Sequence, residues 1–413
     1  MKSTRILVLL VVAGLLVSLG CETTDRVLGA AERAVTSRTG KTVIDLAQSK
    51  DPEQALKRRL ESYERDPVAL LRDVRAAQRD LETLMAHLRG EVGKTWGKKE
   101  VKLPEQKRYV KYTQNYRSRA IVDFDAGEIL VETLDDKDPN GSLKSAIVTS
   151  LLTPNDPRSV DLFSDKAITL TGDKEPYLLG LVVDQDGKPV RVPAEAERFA
   201  AYLLDKRSGT RPVEQEGATK TARYVKLAMV ANLAHKQADK YRPMVTQFAQ
   251  QYQISPSLVF AIIRTESNFN PFAVSSAPAY GLMQLVPTSG GREAYRRAKG
   301  RDVIPSRDYL FDPDNNIELG TAYLNVLNHH QLEPVANAVS REYCVISAYN
   351  TGPSNVLRTF SKDHVAAVNQ INSLQPAEVY ERLRRSLPYQ ETREYLVKVV
   401  TFRKDFVSPS GGG

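Results

Sequence analysis

Segment 255–267 constrains this chain most, because it predicts a buried helix with a carboxylate on its apolar face. Ser255 is a good N-cap and Pro256 suits the first helical position. Leu258, Ile262 and Glu266 follow at i, i+4 and i+8, so they share one side of the helix. A charged carboxylate there is costly unless it is protonated or paired. Desolvation and the negative end of the helix dipole both push its pKa upward. A carboxylic acid that stays protonated near neutral pH is equipped to act as a general acid. The helix alone leaves a second reading open, a buried Glu hydrogen-bonded to a neighbouring loop.

The chain's 413 residues leave room for two domains, and 26% charged with 41% hydrophobic residues is an ordinary soluble composition. The net charge of +8 is spread along the chain, which fits an anionic surface such as lipid headgroups or cell-wall polymer. Nucleic acid is not an expected partner, since no zinc-finger spacing or RNA-recognition signature is present. Residues 1–20 predict a signal peptide, with Lys2 and Arg5 ahead of an apolar run too short to span a membrane with confidence. Val17-Ser18-Leu19-Gly20 before Cys21 resembles the lipobox of bacterial lipoproteins, with Ser18 and Leu19 in swapped order. That resemblance makes Cys21 the lipidated first residue of the mature chain. An ordinary signal peptide with an incidental Cys is the alternative. Cys344, in an apolar helix, is expected in the core, and no disulfide framework is possible.

Residues 21–102 predict a helical membrane-proximal region. Asp51-Pro52 and Asp66-Pro67 read as cap-plus-first-turn pairs, and Gly90 and Gly93 are expected to close the second helix. Residues 103–215 predict a small α+β domain, with strands at 108–112, 120–124 and 129–133 and helices at 142–152 and 194–204. A second hairpin is expected around Asp186-Gly187, and a linker or long loop at 208–219. Residues 222–406 read as helical throughout, with motif-bearing loops, and 407–413 as a disordered tail. The fold class is thus α+β, a mainly helical domain preceded by a small α+β domain and an N-terminal helical region.

Beyond Glu266, Pro271 is expected to end the helix by forcing Asn270 out of helical geometry. Gly281-Leu282-Met283-Gln284 offers a close backbone approach, an adaptable apolar wall and an amide that can donate or accept. Those properties suit the floor of a sugar-binding cleft. An apolar helix further on delivers Tyr349 and Asn350 at its end, with Gly352 and Pro353 breaking it. Glu391-Thr392, with Tyr395, opens the last helix.

Glu266-Ser267, Gly281-Leu282-Met283-Gln284, Ala348-Tyr349-Asn350 with Gly352, and Glu391-Thr392 with Tyr395 match, in order, the four motifs of the family 1 lytic murein transglycosylases. The chain resembles that family over residues 90–406. The α+β segment and the lipobox resemble one membrane-bound member in particular, through Tyr109 to Thr113 and Ser159-Val160-Asp161-Leu162. The resemblance does not explain residues 22–90. It implies a goose-type lysozyme-like catalytic fold and non-hydrolytic cleavage of the β-1,4 bond between N-acetylmuramic acid and N-acetylglucosamine. Glu266 would be the general acid and then the base, leaving 1,6-anhydromuramoyl ends. Ser275, Met283, Gln284, Tyr349, Asn350 and Tyr395 would bind substrate or frame the cleft. Peptidoglycan glycan strands would be the substrate, and other cell-wall enzymes are candidate partners. The lipid anchor would hold the protein to the outer membrane, facing the periplasm of a Gram-negative bacterium. Glu22 agrees, since it lacks the Asp signal of inner-membrane retention.

An ordinary two-carboxylate glycosidase needs a second Asp or Glu about 5–9.5 Å from the first. The sequence has neither between Glu266 and Glu293, and Asp312, Asp314 and Glu318 are the nearest candidates. No metal or other cofactor is expected. The acidic run from Asp312 lacks the Gly and twelfth-position acid of a calcium loop, and His329-His330 has no partner set for zinc. A lysozyme-type hydrolase and a non-catalytic cell-wall-binding lipoprotein remain the alternative functions.

Overall fold

The computed structural model describes residues 67–170 and 174–407. The signal peptide, Cys21, the Asp51-Pro52 pair and the tail from Ser408 lie outside the described residues. The chain divides after Thr83, and Leu84 opens the unit that holds both the sheet and the helical domain. Helix α1 (Pro67–Trp96) runs past Gly90 and Gly93, where it was expected to end. It stops before Gly97, whose φ of 85° is left-handed and where a Cβ would meet Glu214 O at 2.6 Å.

The three expected strands form as β1 (Arg108–Thr113), β2 (Ser118–Asp123) and β3 (Glu128–Thr133), paired in an antiparallel meander. The expected linker instead folds as a hairpin of β4 (Ser208–Gln215) and β5 (Ala218–Ala228), so the boundary drawn at 222 falls inside a strand. The sheet order is β1-β2-β3-β5-β4, antiparallel throughout. Pro212 and Gly209 disguised β4, which lies at the sheet edge, where a proline's missing N–H is tolerated. Around Asp186-Gly187 the turn forms, but its flanks make only the isolated bridge Val183↔Pro189 and no strands.

Both faces of the sheet are covered. Leu88, Val92 and Trp96 of α1 pack with Val110, Tyr112, Ile121, Val213 and Ala222. Helix α2 (Pro139–Leu152) packs against β2 and β3, and α3 (Pro193–Lys206) against α2. Tyr109, Lys111 and Tyr112 of β1 are therefore buried. Alternation along a strand marks its two faces but does not reveal a second covering layer.

In the helical domain α4 (Leu233–Gln251) and α5 (Pro256–Ser267) pack together. Helices α6 (Gly290–Lys299) and α7 (Pro313–Val326) pair beside them. Helix α8 (Ala338–Thr351) and the closing helix α9 (Gln390–Arg403) complete the frame, with α9 against both α5 and α8. Cys344 is buried in α8 as expected.

Candidate active site

Helix α5 begins as its sequence predicts, with Ser255 non-helical and Pro256 in the first turn. The Ser255 hydroxyl pairs with that of Ser257 at 2.8 Å instead of capping a backbone N–H. Leu258 and Ile262 are buried, and Glu266 continues their line in the last turn. The helix ends earlier than Pro271 requires. Asn268 takes the left-handed conformation (φ 46°, ψ 45°), and its N–H bonds to Arg264 O at 3.1 Å. Asn is among the few L-residues that visit this region readily.

Glu266 is half-buried, and Tyr395 of α9 donates from its hydroxyl to Glu266 Oε1 at 2.8 Å. Loss of solvent pushes the Glu266 carboxyl up to about 8. The Tyr395 bond works against that rise, Glu391 adds to it by like charge, and Lys107 opposes it as a cation. Tyr395 is itself held well above the usual phenol range, first by burial and then by the neighbouring Glu266 charge, so it stays a donor.

Loop 281–284 is the second wall. Gly281 has φ 75°, and a Cβ there would meet Asn316 Nδ2 and Leu310 O at 2.5 Å. Ser267 donates to Leu282 O at 2.8 Å, tying the end of α5 to this loop. Tyr349 donates to Met283 O at 2.9 Å. Met283 is buried, and its sulfur fills the space above Gly320. Gln284 is also buried, with φ 48°, and its amide donates to Gly281 O at 2.9 Å and Ala273 O at 3.1 Å. Both side chains thus brace the loop from within. Sequence reasoning missed Asn316. Its buried amide accepts from Met283 N at 2.8 Å and donates to Tyr280 O and Leu310 O, each at 2.8 Å. Asn316 closes the polar first turn Asp314-Asn315-Asn316 of α7, where nothing in the sequence sets it apart from its neighbours.

Asn350 accepts from Thr392 at 2.6 Å, joining the end of α8 to the first turn of α9. Ser275 is half-buried in a surface turn, where its hydroxyl donates to Ala277 O. The structure therefore brings Glu266, Tyr395, Tyr349, Met283, Asn350 and Thr392 into one bonded frame, and gives Ser275 a local partner instead. The three nearest candidates for a second carboxylate are engaged elsewhere or face solvent. Asp312 caps α7 and pairs with Arg158 at 2.9 Å, Glu318 pairs with Lys299 at 2.6 Å, and Asp314 is exposed. Glu391, in the first turn of α9, is the carboxylate whose charge reaches Glu266.

Residues 74–240 match the family model described as the N-terminal domain of membrane-bound lytic murein transglycosylase C. Residues 243–372 match the transglycosylase SLT domain. Relatives named membrane-bound lytic murein transglycosylase C from Klebsiella pneumoniae and Yersinia enterocolitica are 45% and 44% identical over 325 residues. The matches cover 79% of this chain and 89% of each relative. A solved structure of an inactive mutant of lytic transglycosylase Slt from Pseudomonas aeruginosa is 29% identical. It covers 40% of this chain and 23% of that one, with a TM-score of 0.31. The SLT match stops before α9, which carries Thr392 and Tyr395.

Proposed function

This chain belongs to the family of membrane-bound lytic murein transglycosylase C, and from that premise we propose how its own residues cleave peptidoglycan. It is a peptidoglycan lytic transglycosylase, a lyase acting on the glycan strands of the cell wall. In our reading Glu266 supplies both proton transfers. The protonated carboxyl gives its proton to the glycosidic oxygen as the bond from C1 of N-acetylmuramic acid to that oxygen breaks. The 2-acetamido group shields the positive charge left at C1. The Glu266 carboxylate then takes the proton of the C6 hydroxyl, whose oxygen bonds to C1 and closes the 1,6-anhydro ring. Water is not consumed, and the carboxyl ends the cycle protonated.

The observation that carries this reading is the carboxyl itself, raised to about 8 by burial and bonded by Tyr395. An acid and base that must serve in turn works best with a pKa near the working pH. Met283, Gln284 and Tyr349 shape the loop whose backbone forms the cleft floor. Asn350 and Thr392 fix the opposite rim, and Ser275 remains a candidate glycan contact.

Its relatives are membrane-bound transglycosylases, and this protein likewise associates with the membrane. Anchoring through a lipidated Cys21 in the outer membrane, facing the periplasm, is our proposal. Its test is a Cys21→Ala variant, which should leave the membrane fraction. The catalytic proposal is tested by mass spectrometry of products from purified glycan strands. Anhydromuramoyl ends are expected from the native chain and none from Glu266→Gln. Reducing muramic ends would overturn the lyase chemistry in favour of hydrolysis.

A further inference from the structure

The sheet domain grips the end of the catalytic helix. Asn268, two residues after Glu266, donates from Nδ2 to Phe124 O at 2.7 Å and to Asp125 Oδ1 at 3.1 Å. Asp125 Oδ2 in turn lies 3.2 Å from Lys107 Nζ. Asn270 is fully buried, and its amide donates to Gln106 O at 3.0 Å and Glu105 O at 3.4 Å. Phe124 N bonds Lys107 O at 3.0 Å, so the two gripping segments are fastened to each other. Phe269, between the two asparagines, is buried beside Tyr241 and Phe260. The last turn of α5 is thus held from the sheet side by two amides and from the core side by an aromatic ring.

Asn268 does more than stop a helix. Its left-handed backbone suits glycine best, since glycine carries no Cβ penalty there. What asparagine adds is the amide that reaches Phe124 and Asp125. The ionisable groups whose charges bear on Glu266 are Tyr395 and Glu391 from α9, Tyr349 from α8, and Lys107 from the sheet domain. The remaining charged neighbours of α5 are engaged elsewhere. Arg264 pairs with Asp405, Asp239 of α4 pairs with Arg242, and Arg403 of α9, which also donates to Ser257, pairs with Glu342. Lys107 is the cation in the set, and the Asp125–Asn268 contact holds it at the end of the catalytic helix.

We propose that Asn268 is a positioning residue, through which the α+β domain fixes both the direction of Glu266 and the placement of Lys107 beside it. The sheet domain is then part of the catalytic apparatus. This rests on the reading of Glu266 as the acid and base.

The experiment uses the full chain on purified sacculi, with kcat, KM, pH–rate profile and Tm read together. Asn268→Gly keeps the left-handed turn and removes the amide. Its kcat should fall about tenfold with KM nearly unchanged, since small misplacement of a catalytic group costs rate more than binding. Its Tm should stay close to that of the native chain. The basic limb of its pH profile should move upward as Lys107 loses its anchor. Lys107→Met, at a half-buried surface pair, should move the limb the same way, and Lys107→Arg should restore it. Native kcat and pH profile in Asn268→Gly would overturn the proposal. If that variant fails to fold, an unshifted profile in Lys107→Met overturns it instead. An active Glu266→Gln would sink the underlying reading, whereas an inactive Glu266→Gln beside an unaffected Asn268→Gly would sink the clamp alone.

Discussion

Two carboxylates removed from solvent, one in each domain, are treated in opposite ways. Glu132 of β3 is fully buried and is met by two guanidinium groups. Arg119 Nε donates to Glu132 Oε2 at 2.8 Å, and Arg211 Nε donates to Oε1 at 2.6 Å. Glu100 shares both arginines, and Arg119 stacks on Trp96 with 3.8 Å from its Cζ to the ring centre. Glu266 of α5 has a phenol where Glu132 has guanidinium, and the charge of Lys107 works against a rise that burial still wins. Two arginines clamp Glu132 from both sides through charge-assisted hydrogen bonds. A buried carboxyl left with a neutral donor keeps its proton near neutral pH and can release it. The contrast lies in the partners, since both groups are withdrawn from water.

The sharpest way to break that contrast is to neutralise each carboxylate in turn. Glu266→Gln should lower kcat by about 10³-fold or more, within the range of a lost general acid and base. It should leave the fold intact and raise Tm, with a gain that grows with pH. The sign follows from the carboxyl's pKa, about 8 when folded against an ordinary value of 4.5 when unfolded. Between those values the folded chain holds the extra proton, so Glu266 costs increasing stability as pH rises through that window. Glutamine removes that cost. Glu132→Gln should do the reverse. It strands a buried guanidinium and should cost about 3–5 kcal/mol of stability, while kcat per folded molecule stays near native. Thermal unfolding at pH 5 and pH 9 beside activity per folded molecule checks both. A Glu132→Gln loss confined to kcat would end the distinction.

The sequence revealed the chemical half of this contrast better than the structural half. The Ser255-Pro256 start and the i, i+4, i+8 spacing placed Glu266 on its helix and on the right face. Tyr395 was singled out by its motif, and its hydroxyl lies 2.8 Å from Glu266. Contacts between the domains were not legible. Asn268 and Asp125 are 143 residues apart, and neither carries a local pattern that names the other. The burial of Tyr109 and Lys111 was not legible either, because a strand's alternation is silent about what covers its far side. Met283 and Gln284 were expected to face the cleft. The left-handed backbone of Gly281 and Gln284 turns the loop so that both side chains point inward. Turn handedness of that kind is set by tertiary packing around Asn316, which a short motif does not encode.

Tyr395→Phe probes the donor that replaces arginine at Glu266. The hydroxyl's bond lowers the carboxyl's proton affinity, so its loss should move the basic limb of the pH–rate profile upward. The native limb is expected as pH rises through about 8, because the first step needs the protonated carboxyl. The re-formed carboxylate also loses a stabilising bond, and kcat should fall about 10-fold or somewhat more. Phenylalanine fills nearly the same volume, so Tm should change little. A limb that moves downward would mean that Tyr395 does not bond the carboxylate in the working enzyme.

The smallest effect is expected from Glu391, and it discriminates between one-carboxylate and two-carboxylate chemistry. Its charge raises the proton affinity of Glu266 from an exposed position in the first turn of α9. Glu391→Gln should therefore move the basic limb downward and change kcat by about twofold or less. The shift should shrink as salt is raised, because exposed charges are screened over roughly 8–10 Å at ordinary ionic strength. A second catalytic carboxylate would behave otherwise. Its removal would cost about 10²-fold or more in kcat at any ionic strength, as loss of a nucleophile or general base does. A salt-sensitive, modest shift keeps Glu391 as a bystander to the field, with Glu266 performing both proton transfers. A large, salt-insensitive loss would turn the site into a two-carboxylate hydrolase and predict reducing ends among its products.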